Sequence, residues 1–235
     1  MEDYMAPLKQ LRIWCCWIWK QVENSKPSKK LISTTGGPSG TSPNWSHTWV
    51  TYDEAVASVE MIHATGVGFV IPEGYFFLDA DHYSLDDPFI QLLLERFNSY
   101  TERSVSGGGI HIYGMCDINQ LPITTDKDGK KKVDSAYYVK NPNNSLELYI
   151  GGLTNRFAVY TGDVVWEEPL KECTAAVLTT LKCNMLRSSN PKKTGAAKAS
   201  TPEKSGVSNG TNEAVWDLIC DLLKHYKSQY IYADF

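Results

Sequence analysis

Apolar positions along this chain cluster into short runs bounded by Gly, Pro, Ser and Asn, and most of the runs have strand character. LRIWCCWIW (11–19) is aromatic-rich and reads as a strand. GVGFVI (66–71) and YFFLDA (75–80) are nearly continuous apolar runs, as expected of buried strands, and only Pro72-Glu73-Gly74 separates them, which predicts a hairpin. SVSGGGIHIYG (104–114) reads as a glycine-rich turn entering a strand. SLELYIGG (145–152) and RFAVYTG (156–162) read as two further strands around a Gly-Gly turn. Residues 24–46, rich in Ser, Thr, Gly, Pro and Lys, predict a loop or hairpin region, and DKDGKKK (126–132) a charged hairpin tip or loop.

Helical period takes over between these runs. Thr51 and Glu54 have the spacing of a capping box, which predicts a helix from there to about Ala64. Asp87-Pro88 supplies an N-cap and a proline at the first helical position for FIQLLLERFNSY, with Leu92, Leu93 and Phe97 at helical spacing. Pro169 is expected to open a helix across about 170–186. Residues 187–212 then hold almost no large apolar side chains and predict a flexible linker, after which Val215, Trp216, Ile219, Leu222, Leu223 and Tyr226 form the apolar stripe of an amphipathic helix. The expected organisation is a domain over 1–186, a linker over 187–212 and a C-terminal helical segment over 213–235 that could begin a further domain.

Of the 235 residues, 42% are hydrophobic and 21% charged, enough apolar content for a packed core. The net charge of −4 argues against a protein whose sole task is gripping nucleic acid, because phosphate neutralisation by basic residues supplies most of that affinity. It is compatible with an enzyme that gathers carboxylates around metal. The six cysteines show no CxxC spacing and so no zinc ribbon. No apolar run approaches the length of a membrane span and no secretory leader is evident, so a cytoplasmic protein is expected.

Chemistry concentrates in three places. Asp79-Ala80-Asp81 ends an apolar strand, and residues i and i+2 of a strand share a face, so the two carboxylates project together. Paired acids repel unless a cation lies between them, and Mg²⁺ or Mn²⁺ suits such oxygen ligands. The plainer reading is a loop that solvates both acids. Ser106-Gly107-Gly108-Gly109-Ile110-His111 brings backbone N–H groups and a histidine together, which suits a phosphate, although a tight turn beside a half-buried, hydrogen-bonded histidine is the plainer reading of the motif alone. Glu147, flanked by Leu146 and Leu148, either lines a site or faces solvent, and Arg156 either grips phosphate or is a surface arginine.

The order of these pieces is more specific than any one of them. An apolar strand ending in DxD, a helix, a small-residue turn leading to a histidine on a strand, and an apolar-flanked acid on a later strand together resemble the archaeo-eukaryotic primase superfamily. The likeness is greatest to the bifunctional primase-polymerase domains of phages and plasmids, and it covers roughly residues 11–165. It implies an α+β fold with a primase-type catalytic core, an RRM-like sheet carrying the acids beside an N-terminal α/β subdomain. It implies template-dependent nucleotidyl transfer, as DNA primase or DNA polymerase, by a two-metal mechanism. In that reading Asp79, Asp81 and Glu147 hold two Mg²⁺ or Mn²⁺ ions. Ser106, Gly107, Gly109 and His111, with Lys30 (or Lys29) and Arg156, meet the nucleotide. The implied partners are a single-stranded DNA template, nucleoside triphosphates and a replicative helicase or downstream helicase domain. A metal-dependent nuclease built on the same acids, or a non-catalytic nucleotide- or DNA-binding replication accessory, remains as an alternative.

Overall fold

A computed structural model describes residues 3–21, 23 and 26–187; the linker and helix expected beyond them lie outside the described residues. In chain order the elements are α1 (Ala6–Lys9), β1 (Trp14–Lys20), β2 (Ser28–Ile32), α2 (Tyr52–Val59), β3 (Gly66–Val70), β4 (Tyr75–Asp81), α3 (Pro88–Phe97), β5 (Thr101–Arg103) and β6 (Gly109–Met115). There follow β7 (Ile123–Thr125), β8 (Lys131–Val133), β9 (Lys140–Asn141), β10 (Leu146–Ile150), β11 (Phe157–Val159), β12 (Val164–Trp166) and α4 (Thr174–Asn184). Among the described residues no helix is long and apolar enough to cross a membrane.

The local signals act as their chemistry requires. Thr51 Oγ1 accepts from the Glu54 amide while the Glu54 carboxylate accepts from the Thr51 amide, so two orphan donors of α2 are satisfied together. Asp87 caps α3 through the Phe89 amide, with Pro88 in the first turn, and Asn98 in the left-handed region ends that helix. Two expected boundaries move. Helix α2 stops at Val59 rather than near Ala64, and His63 follows at φ 53°. Helix α4 begins at Thr174, not after Pro169: Glu172 is bridged to Met115 in extended backbone, and its carboxylate takes the Thr174 amide.

The strands form a four-stranded sheet ordered β11-β3-β1-β2, a six-stranded sheet ordered β12-β5-β6-β4-β10-β9, and the β7-β8 hairpin at the charged tip. The architecture is α+β with antiparallel ladders. The expected hairpin of 66–71 with 75–80 does not exist, because β3 lies in the first sheet between β1 and β11 and β4 in the second between β6 and β10. A strand apolar on both faces needs cover on both, which does not name its neighbours in the sheet, and Pro72-Glu73-Gly74 carries the chain from one sheet to the other instead of turning it back. The chain crosses again between β10 and β11. The two crossings touch: a Cβ on Gly151 would lie 1.8 Å from the Pro72 carbonyl oxygen, so only glycine fits there.

Within the six-stranded sheet, β5-β6-β4-β10 with α3 joining β4 to β5 follows the strand order of an RRM-type sheet. Residues 116–145 stand where such a sheet would have its second helix. Helix α4, arriving last, covers the same face as α3: Leu93, Phe97, Val177 and Leu181 pack with Leu78, Ile112 and Leu148 in one core. The other face carries Phe77, Tyr113 and Tyr149, which join Trp14 and Phe69 of the first sheet in a second core. That leaves the upper part of this face, beyond the aromatic residues, for other work.

Candidate active site

Alternation along β4 separates two sets of side chains. Phe76, Leu78 and Ala80 enter the helix-covered core, while Phe77 and Asp79 take the opposite face, with Asp81 two residues on. Pairing then draws a row of polar side chains across the sheet. His111 of β6 lies opposite Asp79 on one side and Glu147 of β10 on the other. Glu102 of β5 extends the row opposite His111, and Lys140 of β9 closes it opposite Glu147. A parallel row of rings lies beneath: Phe77 stacks against Tyr113 at 5.2 Å and Tyr149 at 6.0 Å, and forms an edge contact with His111 at 5.0 Å. Core packing therefore fixes the strands that carry the polar row.

Asp79 is the anomaly in this row. Its side chain is 16% exposed, yet its buried Oδ1 has no hydrogen-bond partner, and the nearest basic atom, His111 Nε2, stands at 3.8 Å, beyond bonding reach. Burial pushes the Asp79 carboxyl up to about 6; His111 pulls the other way, and Asp81 and Glu147 add to the rise. Glu147 is satisfied by contrast, through an ion pair from Lys140 and a hydrogen bond from the Tyr149 hydroxyl. Burial first, and then Glu147, raise the Tyr149 phenol, which keeps its proton on that bond.

Asp79, His111, Glu147 and Lys140 of this row line a cavity of about 990 Å³ that also takes in Asp81, Lys29, Arg156, Arg187 and Trp19, while Glu102 stays behind His111. The sheet pairing decides which lysine reaches it. Lys29 stands opposite Trp19 on β1 and shares its cavity-facing parity, while Lys30 stands opposite Ile18 and is not among the lining residues. Arg156 enters from the second crossing, where its carbonyl takes the Ile71 amide, and its guanidinium lies 5.4 Å over the Tyr149 ring. Arg187, assigned by sequence to the start of the linker, is tied to Ala136 and Tyr137 by hydrogen bonds and covers the Tyr138 ring at 4.2 Å. The lining therefore brings the acids Asp79, Asp81 and Glu147 together with the cations Lys29, Lys140, Arg156 and Arg187.

No family model matches the chain. It is 28% identical over 185 residues to the DNA primase-polymerase of Nitratiruptor phage NrS-1, an alignment covering 73% of this chain and 22% of that protein. The chain is related to a phage DNA primase-polymerase. It spans about a fifth of the length of that relative.

Among the described residues no group of three His, Cys, Asp or Glu side chains stands at ligand spacing as it is. Asp79 nevertheless offers an unpartnered oxygen beside two like charges, the situation a divalent cation relieves, and Mg²⁺ is commonly held by one or two carboxylates with substrate phosphates completing the shell. The residues fit an ion that arrives with a triphosphate.

The glycine-rich turn has a different place from the one expected. Ser106, Gly107 and Gly109 do not line the cavity. The Gly107 amide bonds the Ser104 carbonyl, and the Gly108 amide the Ser106 hydroxyl. A Cβ on Gly109 would meet the Ala80 carbonyl oxygen at 2.3 Å. These residues shape the turn and let β6 approach the DxD strand.

Sequence reasoning missed Glu102, Lys140 and Arg187. Glu102 sits in Thr-Glu-Arg, a triplet that reads as solvent-facing, and nothing local announces that its side chain is fully buried.

Proposed function

We propose that this chain is the nucleotidyl-transfer core of a DNA primase-polymerase. It would join a nucleoside triphosphate to the 3′-hydroxyl of a primer, or of an initiating nucleotide, on a single-stranded DNA template. The observation that carries this reading is Asp79: a desolvated acid with an unpartnered oxygen, beside Asp81 and Glu147, in the wall of a cavity also lined by Lys29 and Arg156. A cavity lined by both acids and cations suits a cation and a polyphosphate together. A protein that only binds DNA has no use for such an acid, since burying unpaired carboxylates costs stability. The name of the phage relative points in the same direction.

Asp79, Asp81 and Glu147 would hold Mg²⁺ or Mn²⁺, as a pair of ions in the two-metal scheme. Such ions supply charge stabilisation to the triphosphate and lower the cost of deprotonating the attacking hydroxyl. Lys29 and Arg156 neutralise phosphate oxygens in the cavity, and His111 turns Nε2 toward the same space. The primer 3′-hydroxyl gives its proton to solvent as its oxygen attacks the α-phosphorus, the bond from that phosphorus to the oxygen bridging to the β-phosphate breaks, and pyrophosphate leaves past Lys29 and Arg156. Helicase partnership and the wider replication role belong to this proposal as well.

The test is incorporation of labelled ribo- and deoxyribonucleotides on primed and unprimed templates by wild-type protein, Asp79→Ala and Asp81→Ala. Incorporation by the wild type and its loss by on the order of 100-fold or more in folded variants supports the reading. Undiminished incorporation in both variants overturns the site, and degradation of a labelled strand without incorporation replaces transferase by nuclease.

A further inference from the structure

Glu102 is fully buried and plays no part in the chemistry described above. It sits on the three-residue strand β5, directly opposite His111. Its carboxylate is surrounded by donors. Oε1 accepts from the Tyr113 hydroxyl at 2.7 Å and the Thr161 amide at 3.0 Å, and Oε2 accepts from the Gly162 amide at 3.0 Å. His111 Nδ1 stands 3.4 Å from the same Oε1. The two amides follow β11, a strand of the other sheet, so the carboxylate is held from both sheets at once.

We propose that Glu102 is a positioning residue that fixes the ring orientation and the Nδ1–H tautomer of His111, so that Nε2 is the ring atom presented to the cavity. This rests on the reading of His111 as a nucleotide-contacting residue. Two oxygens, Glu102 Oε1 and the Tyr113 hydroxyl, face Nδ1 at 3.4 Å each. The phenol's single proton has nearer acceptors in Glu102 at 2.7 Å and the Val159 carbonyl at 3.0 Å. A bare Nδ1 would therefore set its lone pair against those of both oxygens, whereas a proton on Nδ1 serves both. The ring is 1% exposed and held edge-on to Phe77, so it cannot flip without disturbing the aromatic row. Nε2 then faces Asp79 and the cavity. A carboxylate behind a histidine that meets a metal or substrate sets tautomer and orientation, and its loss costs on the order of 10- to 100-fold in known sites.

The experiment follows the His111 ring by ¹⁵N-detected NMR in wild type, Glu102→Gln and Tyr113→Phe, alongside Mg²⁺-nucleoside triphosphate titrations and thermal melts. In the wild type the Nδ1–H assignment is expected. Glu102→Gln is expected to mix the tautomers and to weaken triphosphate binding by about tenfold or more. Tyr113→Phe removes another donor to Glu102 and the lesser of the two oxygens facing Nδ1, while the Glu102 carboxylate still faces the ring; it should lower thermal stability and keep both the tautomer and the triphosphate affinity. A wild-type ring protonated on Nε2 alone overturns the proposal whether or not the variants fold. So does a folded Glu102→Gln with unchanged tautomer, or one that loses affinity only as much as Tyr113→Phe, since Glu102 would then be a clamp between the sheets. A wild-type protein that shows Nδ1–H but binds no triphosphate removes the functional reading and leaves the assignment of the tautomer standing.

Discussion

Glu147 stands directly opposite Asp79 across the β10–β4 ladder, and both of its oxygens are taken, one by Lys140 and the other by Tyr149. Like charges opposed across strands destabilise a sheet, and Lys140 offsets that repulsion. The same contact competes with any cation that needs Glu147. Lys140 is 67% exposed, so the pair contributes little, about 0.2–1 kcal/mol. Lys140→Met should therefore lower the Mg²⁺ concentration at half-maximal incorporation by up to about fivefold. A requirement that is unchanged or higher would place Glu147 outside the cation site, or Lys140 on the substrate.

Asp79 makes stability depend on pH in a definite direction. Its folded-state carboxyl is raised from 3.8 to about 6, so the protonated form is favoured by folding. The stabilisation is complete below about pH 4 and is lost as pH rises through 6, and above that the ionised acid works against the fold by up to about 3 kcal/mol. Asp79→Asn removes this dependence. In metal-free buffer its melting temperature should exceed that of the wild type at pH 7.5 and match it near pH 4, while added Mg²⁺ with nucleotide should narrow the difference at pH 7.5 by stabilising the wild type alone. A variant less stable than the wild type at pH 7.5 without metal would mean that Asp79 is not the strained acid described.

Much of this site was legible in the sequence because its pieces are local. The parity of YFFLDAD fixed Asp79 and Asp81 on one face, and the Thr51 and Asp87 caps placed two helix starts. What escaped depends on distant chain. Apolar strands such as β3 and β4 do not name their partners, so the pattern of an adjacent pair predicts a hairpin although each belongs to a different sheet. Glu102 is buried by amides of Thr161 and Gly162, some sixty residues away in the chain, and a polar triplet cannot reveal that. Lys29 and Lys30 are neighbours of equal chemistry, and only the pairing with Trp19 and Ile18 tells which faces the cavity.

That pairing has a measurable consequence. If Lys29 meets phosphate, Lys29→Ala should raise the KM for the incoming nucleotide by about tenfold or more, the cost of a lost hydrogen bond to a charged group. Lys30→Ala, outside the lining, should leave it within about twofold, as for an ordinary surface substitution. Arg156→Ala should behave like Lys29→Ala, with some loss of stability added because the guanidinium also covers Tyr149. Steady-state kinetics on the three variants decides, and an inverted order for the two lysines would mean that β2 shifts by one residue when nucleotide binds.

The glycine-rich turn poses the last question, whether it cradles an anion or only shapes the strand entry. Its geometry favours the second role. Gly107 holds φ at 77°, the Gly107 and Gly108 amides are spent within the turn, and Gly109 packs its Cα against β4 with no room for a side chain. Gly109→Ala must push the Ala80 carbonyl away from a contact of 2.3 Å, moving the residue between the two acids; the expected result is a loss of about 1–3 kcal/mol in stability together with loss of incorporation. Ser106→Ala removes a 3.3 Å cap on the Gly108 amide and a 3.1 Å hydroxyl contact with Ser104, both within the turn, and should change neither nucleotide affinity nor turnover by more than about twofold. Melts and nucleotide titrations on the two variants separate the roles. If the turn cradled phosphate, Ser106→Ala would release the Gly108 amide and alter nucleotide affinity while stability stayed constant, and Gly109→Ala would damage affinity out of proportion to its effect on the melt. The packing of Gly109 against Ala80 predicts the opposite: stability and activity fall together, because the acids ride on the strand that the turn supports.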